Sequence, residues 1–205
     1  MVFVDGVDGA GKTTMIQRLA QSLPAPTVHV ADPLWHYLPA VTAPTDFASW
    51  VMSTSAAEVA IAIIDACIHR LADIRRHLEL RGPGTVVLVD RGPRTVAASA
   101  RAHLATGGPA ETAVDPESSI RRLRATIGQA AHADDCMAVE LRVTSYDAIL
   151  HRLGDSERTD PRYLRYLRAF LQYFEAETPW PGLRQIVLDA TADLATNVGS
   201  VQTRL

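Results

Sequence analysis

Lysine, cysteine and long apolar runs are all scarce in this chain of 205 residues. The cysteines, Cys67 and Cys136, lie in different segments without the spacing of metal ligands, so we expect small buried side chains in a reducing cytosol. No apolar stretch approaches the roughly 20 residues that a membrane-spanning helix needs, and no signal peptide precedes the first predicted strand. These absences predict a cytoplasmic protein with no membrane partner.

The charge balance argues against another class of partner. The formal net charge is −3, so the chain lacks the general basic surface that duplex nucleic acid requires. Hydrophobic residues make up 47% of the chain, which is ample for a core. Length and composition together predict a single domain over residues 1–205.

The single lysine lies in the most informative motif of the chain. Lys12 completes a full match to the phosphate-binding loop pattern G-x-x-x-x-G-K-[ST], which here reads Gly6-Val7-Asp8-Gly9-Ala10-Gly11-Lys12-Thr13. An ammonium is a compact charge on a flexible stem that can follow a phosphate group, whereas the planar fork of arginine does not fit the same narrow space. A phosphate site therefore explains why one lysine persists among 20 basic residues.

The segments that flank this loop have the structure that it needs. Met1–Asp5 is predicted to be a short buried strand, and Thr13–Leu23 a helix with its apolar residues on one face. The glycines let successive amides curl around an anion, and the helix N-terminus adds partial positive charge. We expect Lys12 to reach the β- and γ-phosphates and Thr13 to ligate Mg²⁺. The predicted phosphate-binding set is Gly6, Asp8, Gly9, Ala10, Gly11, Lys12, Thr13 and Thr14.

Strand-like and helix-like segments alternate along the rest of the chain. This alternation predicts an α/β protein, a three-layer α/β/α fold of the P-loop NTPase type with a mostly parallel five-stranded sheet and a short helical lid at about 152–160. Prolines discourage regular structure between the second strand and Ala56. The further predicted strands are Thr27–Val30, Val86–Val89, Met137–Val143 and Ile186–Leu188, and the further helices are Ala56–Leu80, Thr95–Leu104, Ser118–Ala131, Ser145–Leu153, Pro161–Glu177 and Ala192–Val201.

A second motif follows the third predicted strand, where Asp90 and Arg91 come directly after four aliphatic residues. The carboxyl ends of parallel strands meet at one edge of a sheet, so this motif is expected beside the phosphate loop. Asp90 would then hold Mg²⁺, directly or through water, and Arg91 would reach into the cleft. The alternative is that Asp90 only caps the next helix.

These segments resemble those of thymidylate kinases. The loop from Gly6 to Thr14 has the acidic third position of that family, and Val89-Asp90-Arg91 resembles its Asp-Arg motif. His151 to Phe174 resembles its lid and the helix that follows, and Leu188-Asp189-Ala190 its last strand and the loop that receives adenine. The resemblance runs in order over most of the chain.

The resemblance implies a role for each motif. Lys12, Thr13 and the loop amides would hold the phosphates of ATP, and Asp8 would contact a hydroxyl of the acceptor sugar. Asp90 would help to place Mg²⁺, and Arg91 would bind the acceptor phosphate. The implied reaction transfers the γ-phosphoryl group of ATP to a nucleoside monophosphate, with dTMP to dTDP as the first choice. Members of this family are commonly homodimers, and the helix predicted at Ala56–Leu80 would be either an interface of this kind or internal.

The lid and the phosphate loop share one further implied role. Family members take the arginine that neutralises the transferred phosphoryl group either from the phosphate loop or from the lid. The loop position after Asp8 is Gly9, so the lid would supply this charge from Arg152 or Arg158. A solvated loop between helices is the alternative interpretation of this polar segment.

The segment after the second strand departs from thymidylate kinases because residues 32–37 contain no arginine for the acceptor phosphate. Arg94 is one candidate for the missing charge. Asp32-Pro33 followed by Trp35 instead resembles deoxynucleoside kinases, in which a carboxylate here takes the proton of the nucleoside hydroxyl. A hydroxyl acceptor benefits from such a base and an ionised phosphate does not. Alternatively, Asp32 only begins a turn.

Two alternative functions therefore stay open. One is a (deoxy)nucleoside kinase, or a kinase of a nucleoside-like small molecule, that uses Asp32 as general base. The other is a P-loop NTPase or nucleotide-binding switch without a small acceptor. The aromatic residues Trp35, Tyr37 and Trp50 either line a base pocket or pack in the core.

Overall fold

Five parallel strands form one sheet in the computed structural model, which describes residues 1–25, 27–43, 46–81, 84–107, 116–133, 135–154 and 158–205. The order across this sheet is β2-β3-β1-β4-β5. Every neighbouring pair is parallel, so the predicted α/β class is confirmed and the sheet is wholly rather than mostly parallel. The strands are β1 (Val2–Gly6), β2 (Thr27–Val30), β3 (Thr85–Asp90), β4 (Met137–Arg142) and β5 (Arg184–Asp189).

Helices cover both faces of this sheet because successive strand residues point to opposite sides. Phe3 and Val89 pack on one side in a core with α3, α4 and α5, whereas Val4 and Leu88 pack on the other side with α1, α7 and α8. This arrangement is the predicted three-layer architecture. The helices are α1 (Lys12–Ser22), α2 (Asp46–Ser53), α3 (Ala56–Arg81), α4 (Pro93–Thr106), α5 (Pro116–Ala133), α6 (Tyr146–Leu150), α7 (Pro161–Ala176) and α8 (Leu194–Gln202), with a 3-10 helix at Leu34–Tyr37.

The connection between β2 and α3 is more regular than the sequence indicates. The expectation of an irregular segment is wrong, since this stretch contains the 3-10 helix and α2. The Asp46 carboxylate accepts hydrogen bonds from the Thr42 hydroxyl (2.7 Å) and the Ala43 amide (2.9 Å), which link the first residue of α2 to the chain before it. Phe47 and Trp50 then pack against the core beside α3. The prolines precede α2 and do not interrupt it, and a proline is tolerated there.

The start of α7, the helix that follows the predicted lid, agrees with the sequence. α7 begins at Pro161, as predicted, and the Asp160 carboxylate accepts a hydrogen bond from the Arg162 amide (2.8 Å). Within the predicted lid at 152–160, residues 155–157 lie outside the described residues, as do residues 82–83 and 108–115 elsewhere in the chain.

Two further expectations concern burial and membranes. Cys67 and Cys136 are both buried thiols outside any disulfide, as expected from the sequence. Among the described helices, none combines the length with the apolar character that crossing a membrane requires.

Candidate functional site

The loop between β1 and α1 lies at the carboxyl edge of the central strand. Gly9 and Gly11 adopt positive φ angles of 79° and 88°, a backbone region that glycine enters without steric cost. The turn is closed by a hydrogen bond from the Ala10 amide to the Val7 carbonyl (3.2 Å), and Gly11 stands at the N-terminus of α1. The predicted glycine turn therefore leads directly into a helix, and such a helix N-terminus suits an anion.

Lys12 is buried inside this loop. Its ammonium donates a hydrogen bond to the Val7 carbonyl (2.9 Å) and lies 4.0 Å from the Asp8 carboxylate. Burial, together with the positive charge of Arg91, lowers the pKa of Lys12 to about 8. The charged form of this lysine is therefore less stable than usual, and a bound anion would restore it.

Thr13 and Asp90 meet beside the loop, as the sequence predicts. The Thr13 hydroxyl donates to one Asp90 carboxylate oxygen (3.1 Å), while the other carboxylate oxygen is buried without a hydrogen-bond partner. A buried oxygen of this kind normally has a partner, and oxygen atoms are the ligands that Mg²⁺ prefers. The pair therefore fits the predicted magnesium ligands. No cluster of three or more His, Cys, Asp or Glu residues suited to a metal occurs in the described part of the chain.

Arg91 and Asp8 form an ion pair in the centre of the cleft. An Arg91 guanidinium nitrogen lies 2.8 Å from the Asp8 carboxylate, and the Tyr163 hydroxyl donates to the other carboxylate oxygen (3.4 Å). Burial opposes ionisation of Asp8, but the charges of Arg91 and Lys12 outweigh it and hold the pKa of Asp8 below its ordinary value. The negative charge of Asp8 in turn raises the pKa of Arg91.

The backbone of the Asp90-Arg91 motif is held by Arg70, to which the sequence analysis gives no role. This residue of α3 is only 1% exposed and donates to the carbonyls of Asp90 (2.7 Å) and Arg91 (2.5 Å). Arg91 is the non-glycine residue with a positive φ in the described chain, at 58°. The available sequence signal is a lone arginine on the apolar face of the predicted helix, between Cys67 and Leu71.

Asp5 is a second buried residue that the motifs do not reveal. Its carboxylate accepts a hydrogen bond from the Thr95 amide (2.8 Å), and the Thr95 hydroxyl in turn accepts from the Gly6 amide (2.9 Å). These bonds join the start of α4 to the start of the phosphate loop. Burial raises the pKa of Asp5 to about 6, and the negative charge of Glu140 acts in the same direction.

The lid arginines take different positions. Arg152 donates to the carbonyls of Gly9 (3.3 Å) and Ala190 (3.0 Å), so it bridges the phosphate loop and the segment after β5. Arg158 is exposed on the far side of the undescribed residues 155–157. Arg162 and Arg165 of α7 line the cleft and are missing from the predicted site. Their position on the polar side of an amphipathic helix was the available signal.

Asp32 lies apart from these groups. Its side chain is 61% exposed and stands 3.9 Å from the His36 ring, while its neighbours Ala31 and Pro33 line the cleft. Its role as a base stays a prediction. Arg94, the candidate for a missing charge, does not reach the cleft, because its guanidinium is buried against the Phe174 carbonyl (2.7 Å) and Glu140 (2.9 Å).

The site lies in one continuous cleft of about 1830 Å³. This volume exceeds the roughly 300–1,000 Å³ that is typical for one small ligand. Ala190, Ala192 and Asn197 line it at the β5 side, and the phosphate loop lies at its centre. At the β2 side is a pocket that we call the apolar lobe, defined by Leu34, Trp35, Phe47, Val51, Val59 and Ile63. The aromatic residues Trp35, Tyr37 and Trp50 all pack against the core, and Trp35 also lines this lobe.

The comparisons with known proteins agree with this architecture. No family model matches the sequence, and no curated protein sequence does. The fold matches a deoxyadenosine kinase from M. mycoides with bound dATP, at a TM-score of 0.57 and 14% identity over 99% of this chain and 97% of that one. The structure of deoxyadenosine kinase from M. mycoides with bound dCTP gives a TM-score of 0.55, again at 14% identity, over 100% and 98% of the two chains.

A likeness at this low identity concerns the fold. It shows neither an activity nor membership of the thymidylate kinases. The chain therefore has a five-stranded α/β fold that matches the fold of these two deoxyadenosine kinase structures.

Proposed function

We propose that this protein is an ATP-dependent kinase that phosphorylates the hydroxyl group of a nucleoside-like small molecule. The observation that carries the proposal is the convergence of Lys12, the Thr13–Asp90 pair and Arg91 on one cleft. Phosphoryl transfer depends mainly on positioning and charge neutralisation. The fold of the deoxyadenosine kinases supports this reaction class and leaves the acceptor to be tested.

Each part of the cleft has a role in this proposal. The loop amides and Lys12 hold the donor phosphates, and Arg152, Arg158, Arg162 and Arg165 balance their charge from the lid side. A magnesium ion held by Thr13 and Asp90 would supply further charge neutralisation at these phosphates. The segment after β5 receives adenine, and the acceptor enters from the apolar lobe.

The charges near Arg91 favour a hydroxyl acceptor over a phosphate. Arg91 is already balanced by Asp8 at 2.8 Å, and residues 32–37 after β2 contain no arginine to assist it. A dianionic acceptor phosphate would therefore meet little uncompensated positive charge on this side. A hydroxyl needs a proton acceptor instead, and we keep Asp32 as the proposed base, which must turn from solvent towards the cleft.

The second candidate is a nucleoside monophosphate kinase with dTMP as acceptor. The phosphate loop with its acidic third position and the Asp-Arg motif favour it. In this case Arg91 would exchange Asp8 for the acceptor phosphate, and Asp32 would have no catalytic role.

An assay of ADP release separates these candidates. The full chain receives ATP and Mg²⁺ with thymidine, deoxyadenosine, dTMP or no acceptor. Release that depends on a nucleoside and is lost in Asp32→Asn supports the proposal. Release that depends on dTMP and survives Asp32→Asn supports the second candidate, and equal release without any acceptor indicates an NTPase.

Lys12→Ala provides the test of the phosphate site. Loss of a preorganised charge at the transferred group costs about 3–4 kcal/mol, or roughly 10²–10³-fold in kcat/KM. Arg18→Ala is the matched control, because it removes an exposed cation from the same helix. Retained activity in Lys12→Ala would contradict the assigned phosphate site.

A further inference from the structure

The apolar lobe lies at one end of the cleft, away from the segment proposed for adenine. The strand order puts β2 and β5 at opposite edges of the sheet with the phosphate loop between them. The lobe is built by the 3-10 helix, α2 and α3, which all follow β2. A molecule that fills the lobe therefore approaches the phosphate loop from the side opposite the donor base.

The lining of the lobe offers few groups that could bond to a polar ligand. Beyond its six defining residues, the described lining from α4 and the segment before α3 includes the hydroxyls of Thr54, Ser55, Ser99 and Thr106 and the ring of His103, without a side-chain amide among them. The Ser99 hydroxyl shares a hydrogen bond with Tyr166 (2.7 Å). The Ser55 hydroxyl already donates to Glu58 (2.8 Å), and the Thr106 hydroxyl to the Ala102 carbonyl (2.8 Å). The Trp35 indole is one further donor of the lobe.

The polar residues closest to the lobe are also engaged. Arg70, on the same helix as Ile63, directs its guanidinium to the carbonyls of Asp90 and Arg91. The His103 ring stacks on Tyr166 with centroids 4.5 Å apart, and burial lowers its pKa to about 4, so the ring is neutral. Arg70 therefore directs no charge to the lobe, and His103 offers only the two nitrogens of a neutral ring.

This lining indicates recognition by shape. A nucleobase presents several donors and acceptors along one edge, and burying them against apolar side chains loses their bonds to water. A site that reads such groups by hydrogen bonds rejects an analogue without them by about 10⁴–10⁵-fold. The described lobe lacks the groups for that discrimination, whereas Trp35 and Phe47 offer aromatic surface for a ring.

We propose that the acceptor is an alcohol with an apolar ring as its body, which fills the lobe and directs its hydroxyl towards the phosphate loop. The inference rests on the proposed function for the direction of the acceptor, and it narrows the substrate class from nucleosides in general to those with a ring poor in hydrogen-bonding groups.

A matched pair of ligands tests this inference. Thymidine and the 2,4-difluorotoluene deoxynucleoside have nearly the same shape, but the second lacks the hydrogen-bonding edge. Calorimetry with the full chain without nucleotide measures both dissociation constants. We expect the difluorotoluene compound to bind at least about tenfold more tightly, since it places apolar surface against apolar surface. Equal or tighter binding of thymidine, or no heat with either compound, would overturn the inference.

The same compounds separate this inference from the proposed kinase activity. Tight binding of the difluorotoluene compound without any acceptor-dependent ADP release would leave the lobe assignment standing and would refute the proposed function. ADP release with thymidine together with weaker binding of the difluorotoluene compound would support the proposed function and refute the lobe assignment.

A variant of α3 adds an internal test. Ile63→Gln places an amide in the lobe, so we expect the preference for the difluorotoluene compound to fall by at least about tenfold. Leu80→Gln is the control, because Leu80 lies on the same helix and is 78% exposed. If Ile63→Gln fails to fold, Val59→Thr makes a smaller polar change in the lobe and should lower the preference in the same direction. An unchanged preference in a folded lobe variant would contradict the proposal.

Discussion

Arg91 shows how one residue can depend on a partner that is distant in sequence. Its φ of 58° places a non-glycine residue in the left-handed region, at a cost on the order of 1–3 kcal/mol. The guanidinium of Arg70 donates to the carbonyls on both sides of this strained peptide, Asp90 (2.7 Å) and Arg91 (2.5 Å). These bonds stabilise the strained backbone conformation, which directs the Arg91 side chain towards Asp8.

Arg70→Met should therefore damage the site without touching it directly. The methionine fills similar space but leaves two buried carbonyls without donors, a loss of about 2–5 kcal/mol in the free energy of unfolding. We also expect a fall in kcat/KM, because Arg91 and Asp90 lose their orientation. Urea unfolding and the ADP-release assay measure the two effects.

Combining Arg70→Met with Arg91→Gly tests whether Arg70 stabilises the protein by holding the strained residue 91. Glycine removes the conformational cost at position 91, so the double variant should recover part of the stability lost in Arg70→Met. If the loss in the double variant equals the sum of the losses in the two single variants, Arg70 does not hold the strained turn.

At the scale of elements, α7 couples the lid to the rest of the cleft. Tyr163 of this helix reaches Asp8 (3.4 Å), and the Tyr166 hydroxyl shares a hydrogen bond with Ser99 of α4 (2.7 Å). At the other end of the helix, Arg94 donates to the Phe174 carbonyl and lies over the Phe174 ring at 4.9 Å. The helix is thus fixed at its C-terminal end, and its first turns face the cleft.

Arg94→Met should loosen this helix. The change removes a buried cation that pairs with Glu140 at 2.9 Å, and breaking a buried ion pair costs about 3–5 kcal/mol. Arg76→Met is the matched control, since its ion pair with Asp73 is at the surface and contributes at most about 1 kcal/mol. Urea unfolding compares the two variants, and equal losses would contradict the anchoring role of Arg94.

At the scale of the whole molecule, the buried carboxyl of Asp5 in the central strand links stability to pH. Its pKa is raised by burial from 3.8 to about 6 in the folded protein. The folded state therefore binds this proton more tightly than the unfolded state does. The stabilising effect of protonation is fully present below the unfolded pKa and is lost as the pH rises through about 6.

Asp5→Asn removes this dependence, because asparagine does not titrate. The unfolding free energy of the variant relative to that of the wild type should increase by roughly 2–2.5 kcal/mol between about pH 4 and pH 7. Urea unfolding over this range measures it. Parallel pH profiles for the two proteins would show that Asp5 does not titrate as proposed.

Local patterns were sufficient to predict the framework of the fold. The alternation of aliphatic strands with amphipathic helices predicts the five strands and most helices, because backbone geometry and one-sided burial leave a periodic trace in nearby residues. The phosphate loop can be predicted equally well, since its glycines, Lys12 and Thr13 must follow one another along the chain. The meeting of Thr13 with Asp90 follows from parallel strands that end at one edge.

Contacts between distant residues left no such trace. Arg70, Arg94 and Asp5 are single polar residues within apolar patterns, and their partners lie 20 to 90 positions away. The sequence does not distinguish an arginine that reaches a ligand from one that bonds to a carbonyl. For this reason Arg94 is a candidate ligand of the acceptor phosphate in the sequence, although the structure buries it. The prediction of an irregular segment failed at α2 because packing of Phe47 against the core outweighs the weak local signal.

The sequence by itself therefore determined the layered α/β framework and the phosphate-binding loop, because both depend on neighbouring residues. The tertiary structure alone decided that Arg152 bridges Gly9 and Ala190, that Arg94 is internal and that the β2 side of the cleft is apolar. Such features arise where separate elements pack together, and the burial of a side chain depends on all the elements around it.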